Sequence, residues 1–272
     1  MKIGLYTRYL PAESQADLKA LMDVLHSRNV QTEETGDAQP SASCDFLFSI
    51  GGDGTLLSAV HSLAGREIPV VGINFGHLGF LTTAGRDDFE RLVDDLLEGN
   101  YTVEPRTLLH VETNPVHTVP FAAALNEVSL HRIDDTSLLR TALYVDQDFV
   151  ASYDGDGLLV ATPTGSTAYS LSCGGPILTP DSGCFVVTPI AVHNLSLRPI
   201  IVPDTSTLRL VTSSDGNANL GIDSHHLTLA GGTEICLRRE GYKVQLVRLR
   251  HQSFFSAIHQ KLSWGGRQHA TL

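Results

Sequence analysis

The stretch DFLFSIGGDGTLLSAVHSLA, residues 45–64, decides the fold. Residues 45–50 are almost wholly apolar, the pattern of a strand buried on both faces. Gly51-Gly52 closes that strand, and the apolar spacing over 55–64 predicts a helix. A buried strand that feeds a helix through a glycine turn is half of a βαβ unit. The flanks repeat the theme. Residues 2–6 predict a strand, and 14–28 predict a helix with Leu18, Leu21, Val24 and Leu25 on one face. Residues 68–73 predict a second buried strand, and 87–97 an amphipathic helix closed by Gly99. Residues 32–43 are polar, carry Gly36 and Pro40, and read as a loop. Residues 1–100 are thus expected to form an α/β domain with a parallel sheet.

Beyond residue 101 the pattern changes. Short, turn-bounded runs rich in β-branched residues predict strands over 108–113, 122–131, 141–150, 157–162, 185–190, 207–211, 234–239 and 243–249. Only 166–172 and 251–262 read as helical. The expectation is a larger β-rich, β-sandwich-like domain over 101–250, with a C-terminal helix within about 251–272 packing back on the first domain.

Composition narrows the function. Of 272 residues, 42% are hydrophobic, enough for a buried core and against a disordered chain. The formal net charge of −11 disfavours a nucleic-acid binder or a reader of anionic membranes. Cys44, Cys173, Cys184 and Cys236 form no CxxC pair, so no zinc ribbon is signalled and reduced thiols are expected. No apolar run approaches the ~18 residues of a membrane span. MKIGLYTRYL lacks the signal-peptide pattern, so a cytoplasmic location is expected. Glycine counts 24, above the usual ~7%, and the surplus clusters in turns.

Four constellations carry chemistry. Gly51-Gly52-Asp53-Gly54-Thr55 lies between strand and helix, where backbone N–H groups can take a phosphate, or where Asp53 simply caps the helix. Gly72-Ile73-Asn74-Phe75-Gly76-His77-Leu78-Gly79-Phe80-Leu81 follows the next strand and would line the same sheet edge; His77 reads as a solvated loop residue. Asn126-Glu127 sits in the strand-like run AALNEVSLH, where alternation sends the two side chains to opposite faces unless a bulge or strand end re-aims one. The last is Asp154-Gly155-Asp156-Gly157 with the hydroxyl-rich run 162–172 (TPTGSTAYSLS) and Gly174-Gly175-Pro176. Its neutral donors and acceptors suit a nucleotide held by an acidic protein.

These motifs, in this order, resemble the NAD kinase family over nearly the whole chain. The match runs through GGDGT at 51–55, GINFGHLGFL at 72–81, NE at 126–127, DG at 156–157, TPTGSTAYSLS at 162–172, GGPILTP at 174–180, HNLSLRP at 193–199 and KLSWGG at 261–266. GGDG alone also occurs in phosphofructokinases and diacylglycerol-type lipid kinases; its combination with NE and TPTGSTAY is specific. The resemblance implies transfer of the ATP γ-phosphoryl group to the 2′-hydroxyl of the adenosine ribose of NAD, giving NADP and ADP. It implies that Asp53 meets that hydroxyl as general base, and that Gly51, Gly52, Gly54, Thr55, Asn74 and Gly76 cradle phosphates. It places NAD against Asp53, Gly54, Asn126, Glu127, Asp154, Asp156, Thr164, Thr167, Ala168, Tyr169, Ser170, Leu171 and Ser172, with Ala191 and His225 as weaker carry-overs. Asp156 would serve the nicotinamide end, from a neighbouring subunit of a homodimer or homotetramer.

Three points qualify the mechanism. A carboxylate at a helix N-terminus is expected to have a lowered pKa, so Asp53 would mainly orient the hydroxyl and accept its proton late. No lysine stands in the glycine-rich turns, so a divalent cation, Mg²⁺ on ATP, is expected to offset phosphate charge, and no dedicated protein metal site is evident. Many family members carry arginine where this chain has Asp154; either Asp154 points away or the pocket handles the substrate phosphate differently. The rivals are a lipid kinase, a non-catalytic nucleotide sensor and a sugar-phosphate kinase. The acidity, the presence of Asp53 with Asn126-Glu127, and TPTGSTAY weigh against them in turn.

Overall fold

The computed structural model describes residues 1–8, 10–36, 38–76, 79–117, 121–133, 138–213 and 216–264. The chain divides into two compact units, Met1–Pro105 with the segment from Val244 onward, and Arg106–Lys243.

The first unit begins with β1 (Lys2–Thr7), α1 (Gln15–Ser27), β2 (Gln31–Glu34), β3 (Phe46–Ile50), α2 (Asp53–Leu63), β4 (Val70–Asn74), β5 (Ala84–Gly85) and α3 (Phe89–Glu98). The strands run parallel in the order β4-β3-β1-β2. All five residues of β3 are buried, as its apolar run requires. Ile3, Phe46, Phe48 and Ile73 pack against Leu21 and Leu25 of α1 and Leu92 and Leu96 of α3. Gly99 ends α3 in the left-handed region, at φ 75°. β2 overlaps the start of the stretch read as loop. Its sequence, QTEE, pairs with β1 at the sheet edge, where a short charged strand gives no apolar signal.

The second unit is built mainly of β6 (Tyr101–Asn114), β7 (Ala123–Ala124), β8 (Glu127–Arg132), β9 (Leu139–Val145), β10 (Asp148–Gly155), β11 (Gly157–Ala161), α4 (Tyr169–Ser172), β12 (Cys184–Ile190), β13 (Ile200–Pro203), β14 (Leu208–Thr212), β15 (Ala218–Ile222), β16 (His225–Leu229) and β17 (Glu234–Leu249). β6 and β17 are the two strands along which the chain passes from one unit to the other. One antiparallel sheet has the order β13-β12-β11-β8-β15-β16, and a second contains β10-β9-β14-β17. Val128, Leu130, Val160 and Phe185 from the first meet Leu143, Leu208, Leu210 and Ile235 from the second in one core. This is a β-sandwich.

Several strand predictions change. The run 141–150 is not one strand but the β9–β10 hairpin, turning at Asp146, whose φ is 56°. The run 122–131 breaks between β7 and β8, at Leu125-Asn126. The two runs 234–239 and 243–249 are one strand, β17, which runs through Gly241 without a turn. β13, β15 and β16 lie where the sequence pattern predicts no strand. The final helix, α5 (Phe254–Leu262), starts at Ser253, whose hydroxyl accepts from Ser256 N–H at 3.0 Å. Just before it, Gln252 Nε2 donates to the Thr83 carbonyl at 2.6 Å. No helix among the described residues is long and apolar enough to cross a membrane.

Candidate active site

In the α/β unit, β3 ends where Gly51 adopts φ 147° and donates its N–H to the Ile73 carbonyl at 2.8 Å. A Cβ at Gly51 would overlap the Thr55 side chain, so glycine is required. Gly52 is the N-cap of α2, and no side chain caps that helix. Asp53 is therefore not the cap. It is the first helical residue, and its carboxylate crosses to the second glycine-rich turn. Phe80 N–H donates to Oδ2 at 2.9 Å and Leu81 N–H to Oδ1 at 3.2 Å. Gly79 lies directly beneath: any Cβ there would overlap the carboxylate. That turn is itself held by Gly79 N–H on Thr82 Oγ1 at 2.6 Å and Thr83 N–H on the Gly72 carbonyl at 2.6 Å. Asn74 Oδ1 accepts from Gly76 N–H at 2.8 Å, closing the start of the turn. His77 and Leu78 lie outside the described residues.

The ionisation of Asp53 runs against the sequence expectation. Burial pushes its carboxyl above the ordinary aspartate range, outweighing the two N–H donors and the nearby charge of Lys261. The uncapped N–H groups of α2 remain for another anion. Two cations complete this region, and neither stands in a glycine-rich turn. Arg8, just after β1, donates from Nη1 to Ser58 Oγ at 3.0 Å, and Ser58 Oγ reaches the Gly54 carbonyl at 3.3 Å, placing the guanidinium over the first turn of α2. Lys261 comes from α5. Their roles escape a sequence reading, although Lys261 heads the KLSWGG match, because the first strand and the last helix bring them in.

In the β-sandwich unit, the interruption of the strand between β7 and β8 defines the second site region. The Asp223 carboxylate accepts three successive backbone N–H groups there, from Leu125 at 2.8 Å, Asn126 at 2.8 Å and Glu127 at 3.2 Å. Thr162 binds the opposite side, its N–H on the Asn126 carbonyl at 2.9 Å and its hydroxyl on the Leu125 carbonyl at 2.5 Å. Gly165 packs so closely on Asn126 that a Cβ would overlap its backbone. The Glu127 carboxyl is pushed up to about 8, first by burial and then by the Asp223 charge, against one N–H donor from Tyr169. Its Oε2 is buried and finds no protein partner among the described residues.

The hydroxyl-rich run serves two purposes. Ser166 and Ser170 are buried and used by the fold, Ser166 accepting from Leu178 N–H at 2.9 Å and Ser170 pairing with Thr188 at 3.0 Å. Thr164 is buried too, 3.4 Å from Arg106 Nη1. Thr167 and Ala168 are half-buried, Leu171 likewise, and Tyr169 and Ser172 reach the surface. The Tyr169 ring stacks on His131 at 5.7 Å. Asp156 pairs with Arg132 at 2.8 Å. Asp154 is gripped by Arg140 through Nε at 2.8 Å and Nη2 at 3.2 Å, its partner across the β9–β10 ladder. Ala191 sits at φ 45° beside Gly155, where a Cβ would meet the Ala191 carbonyl at 2.9 Å. His225 lies 4.4 Å from the Phe121 ring. Asp223, Arg132 and Arg140 are the residues of this unit that sequence reasoning missed.

Comparison with known proteins gives one answer along the whole chain. The ATP-NAD kinase N-terminal domain family matches residues 7–101, and the ATP-NAD kinase C-terminal domain family matches residues 125–249. The NAD kinase of Christiangramia forsetii is 37% identical over 289 residues, covering 97% of this chain and 98% of that protein. The NAD kinase of Porphyromonas gingivalis is 42% identical over 222 residues, covering 81% of this chain and 76% of its own. Among solved structures, an NAD kinase from Archaeoglobus fulgidus in complex with ATP matches with a TM-score of 0.81 at 26% identity, over 97% of this chain and 99% of that one. Yeast NADH kinase complexed with NADH shares the fold, with a TM-score of 0.86 at 22% identity, over 100% of this chain and 89% of that one.

Proposed function

Because the chain belongs to the NAD kinase family, we propose that it transfers the γ-phosphoryl group of ATP to the 2′-hydroxyl of the adenosine ribose of NAD, giving NADP and ADP. The observation that carries the mechanism is Asp53: a carboxylate fixed by two backbone donors, half-buried, with a raised pKa, at the uncapped start of α2. Such a group orients an alcohol and takes its proton as the phosphoryl group arrives. A raised pKa makes it a better base than an ordinary aspartate.

Phosphoryl transfer depends mostly on positioning and on neutralising equatorial charge. The phosphates lie against the turns built by Gly51, Gly52, Gly54, Thr55, Asn74 and Gly76. The N–H groups of Gly51, Thr55 and Gly76 are spent on Ile73, Gly52 and Asn74 and hold the shape of the turns, which leaves the start of α2 to face the anion. Arg8 and Lys261 supply the positive charge that the glycine turns lack. The divalent cation, Mg²⁺, arrives on ATP as part of the substrate. Among the described residues no three His, Cys, Asp or Glu side chains gather as its ligands, and the turn offers it only the Asp53 carboxylate. Asn126 and Glu127 hold the adenosine of NAD. Thr164 and the exposed members of 167–172 line the dinucleotide, with Ala191 and His225 at its margin. Asp156 serves the nicotinamide end, from a neighbouring subunit of a cytoplasmic homodimer or homotetramer, and Asp154 lies beside the dinucleotide with its charge taken up by Arg140.

Purified protein with ATP, Mg²⁺ and NAD is expected to form NADP, read with an NADP-specific dehydrogenase. No NADP at high enzyme concentration overturns the reading. ADP released only in the presence of diacylglycerol would favour the lipid-kinase rival.

A further inference from the structure

We infer that Asp223 is the positioning residue for nucleoside recognition: it acts through the backbone of residues 125–127 to present Asn126 and Glu127 together. The inference rests on the NAD-binding role of those two side chains proposed above. In a continuous strand over 122–131 they would leave on opposite faces, and successive N–H groups would alternate in direction. Here three successive N–H groups converge on one carboxylate, which no extended strand allows. The strand is interrupted at that point, β7 ending at Ala124 and β8 starting at Glu127.

The anchor comes from far along the chain. Asp223 lies in the turn between β15 and β16, at φ 50°, a region that costs a non-glycine residue free energy. Its own N–H donates to the Glu127 carbonyl at 3.0 Å, so the two segments hold each other reciprocally. Thr162 takes the Leu125 and Asn126 carbonyls from the other side. With both its N–H and its C=O groups engaged, this backbone has little freedom left, and the Glu127 carboxyl is held with Oε2 unpaired.

Asp223 also sets the chemistry of that carboxyl. Its charge adds to burial in keeping Glu127 protonated through neutral pH. The other titratable groups that feel Glu127 are Tyr169 and Cys173 of the α4 segment, both pushed up themselves and neutral in this range. Glu127 therefore offers an O–H donor as well as an acceptor. That suits a neutral nucleoside face, ribose hydroxyl or base nitrogen, and rejects a phosphate less than a carboxylate would.

The test is NAD affinity by calorimetry without ATP, beside steady-state kinetics over pH. In Asp223→Asn, affinity for NAD is expected to fall at least tenfold while the KM for ATP stays within twofold. In wild type, kcat/KM for NAD is expected to fall above about pH 8 as Glu127 ionises. The alkaline limb should move to lower pH in Asp223→Asn and vanish in Glu127→Gln, shifts that a merely structural role would not produce. A folded Asp223→Asn with unchanged NAD affinity overturns the inference. If that variant does not fold, persistence of the same limb in Glu127→Gln overturns it. Absence of NADP formation by wild type, with NAD affinity lost in Asp223→Asn, would instead overturn the reaction and leave Asp223 in place.

Discussion

Asp53 in the α/β unit and Glu127 in the β-sandwich are both carboxyls that burial raises, yet their surroundings make them opposite tools. Asp53 receives two backbone N–H donors and the pull of Lys261, and these restrain the rise. Glu127 receives one N–H donor and sits beside a second carboxylate, which drives it further, to about 8. The first is raised by burial but held back by its donors and a cation, as suits a base; the second is driven up to remain a neutral acid. Two groups of nearly the same chemistry are thus separated in role by what surrounds them.

The largest break in that comparison is Asp53→Asn. The amide keeps the shape and accepts one N–H, but cannot take a proton. NAD binding is expected to persist while kcat falls on the order of 10²–10⁴-fold. Turnover near wild type would remove Asp53 from the base role. Gly79→Ala is next. The added methyl overlaps the Asp53 carboxylate, and the carboxylate must leave Phe80 and Leu81 to make room. We expect kcat to fall 10- to 100-fold and stability by about 1–3 kcal/mol, measured by denaturant unfolding. An unchanged kcat would show that the two N–H donors do not position Asp53.

The two regions also differ in how far their sequences announce them. β3, the glycine turn and α2 are contiguous, so apolar runs and glycines reveal them directly. The direction taken by Asp53 is not readable locally, because it depends on Phe80 and Leu81, 27 and 28 residues away. In the β-sandwich the distance is greater. The break at Asn126 is imposed by a carboxylate 97 residues further on, so the run AALNEVSLH reads as one strand. The β9–β10 turn was missed for a different reason: Asp146, not glycine, takes the positive φ there, anchored by its carboxylate on Thr207 N–H at 2.9 Å. Arg8 carries no local signal, and Lys261 heads the KLSWGG match without its role being readable there; β1 and α5 bring them to the glycine turn.

Lys261→Met sharpens the contrast by making Asp53 more like Glu127. The Lys261 charge favours the Asp53 carboxylate, so its loss moves the Asp53 pKa upward. Activity that needs the ionised form rises with pH through that pKa, and the acidic limb of the kcat profile should shift to higher pH. At neutral pH a loss of about tenfold is expected, with Arg8→Ala raising the KM for ATP by several-fold instead. An unmoved acidic limb would mean that Lys261 acts on the phosphates alone or not at all.

The smallest effect concerns Asp154, whose charge the sequence alone does not reconcile with a phosphate-binding pocket. Its carboxylate neither points away alone nor stands bare: Arg140 neutralises it across the ladder in a two-pronged pair. The pair is open to solvent, at 67% exposure for the arginine side chain and 37% for the aspartate, so its share of stability is about 0–1 kcal/mol. Its share of binding is different, because removing one partner exposes the charge of the other. Arg140→Ala should weaken NAD binding two- to fivefold at low salt, and the loss should shrink as ionic strength rises. Asp154→Ala in the same chain should restore affinity, since no carboxylate then remains to repel phosphate. If the double variant binds no better than Arg140→Ala, the arginine contacts the dinucleotide directly and Asp154 merely orients it.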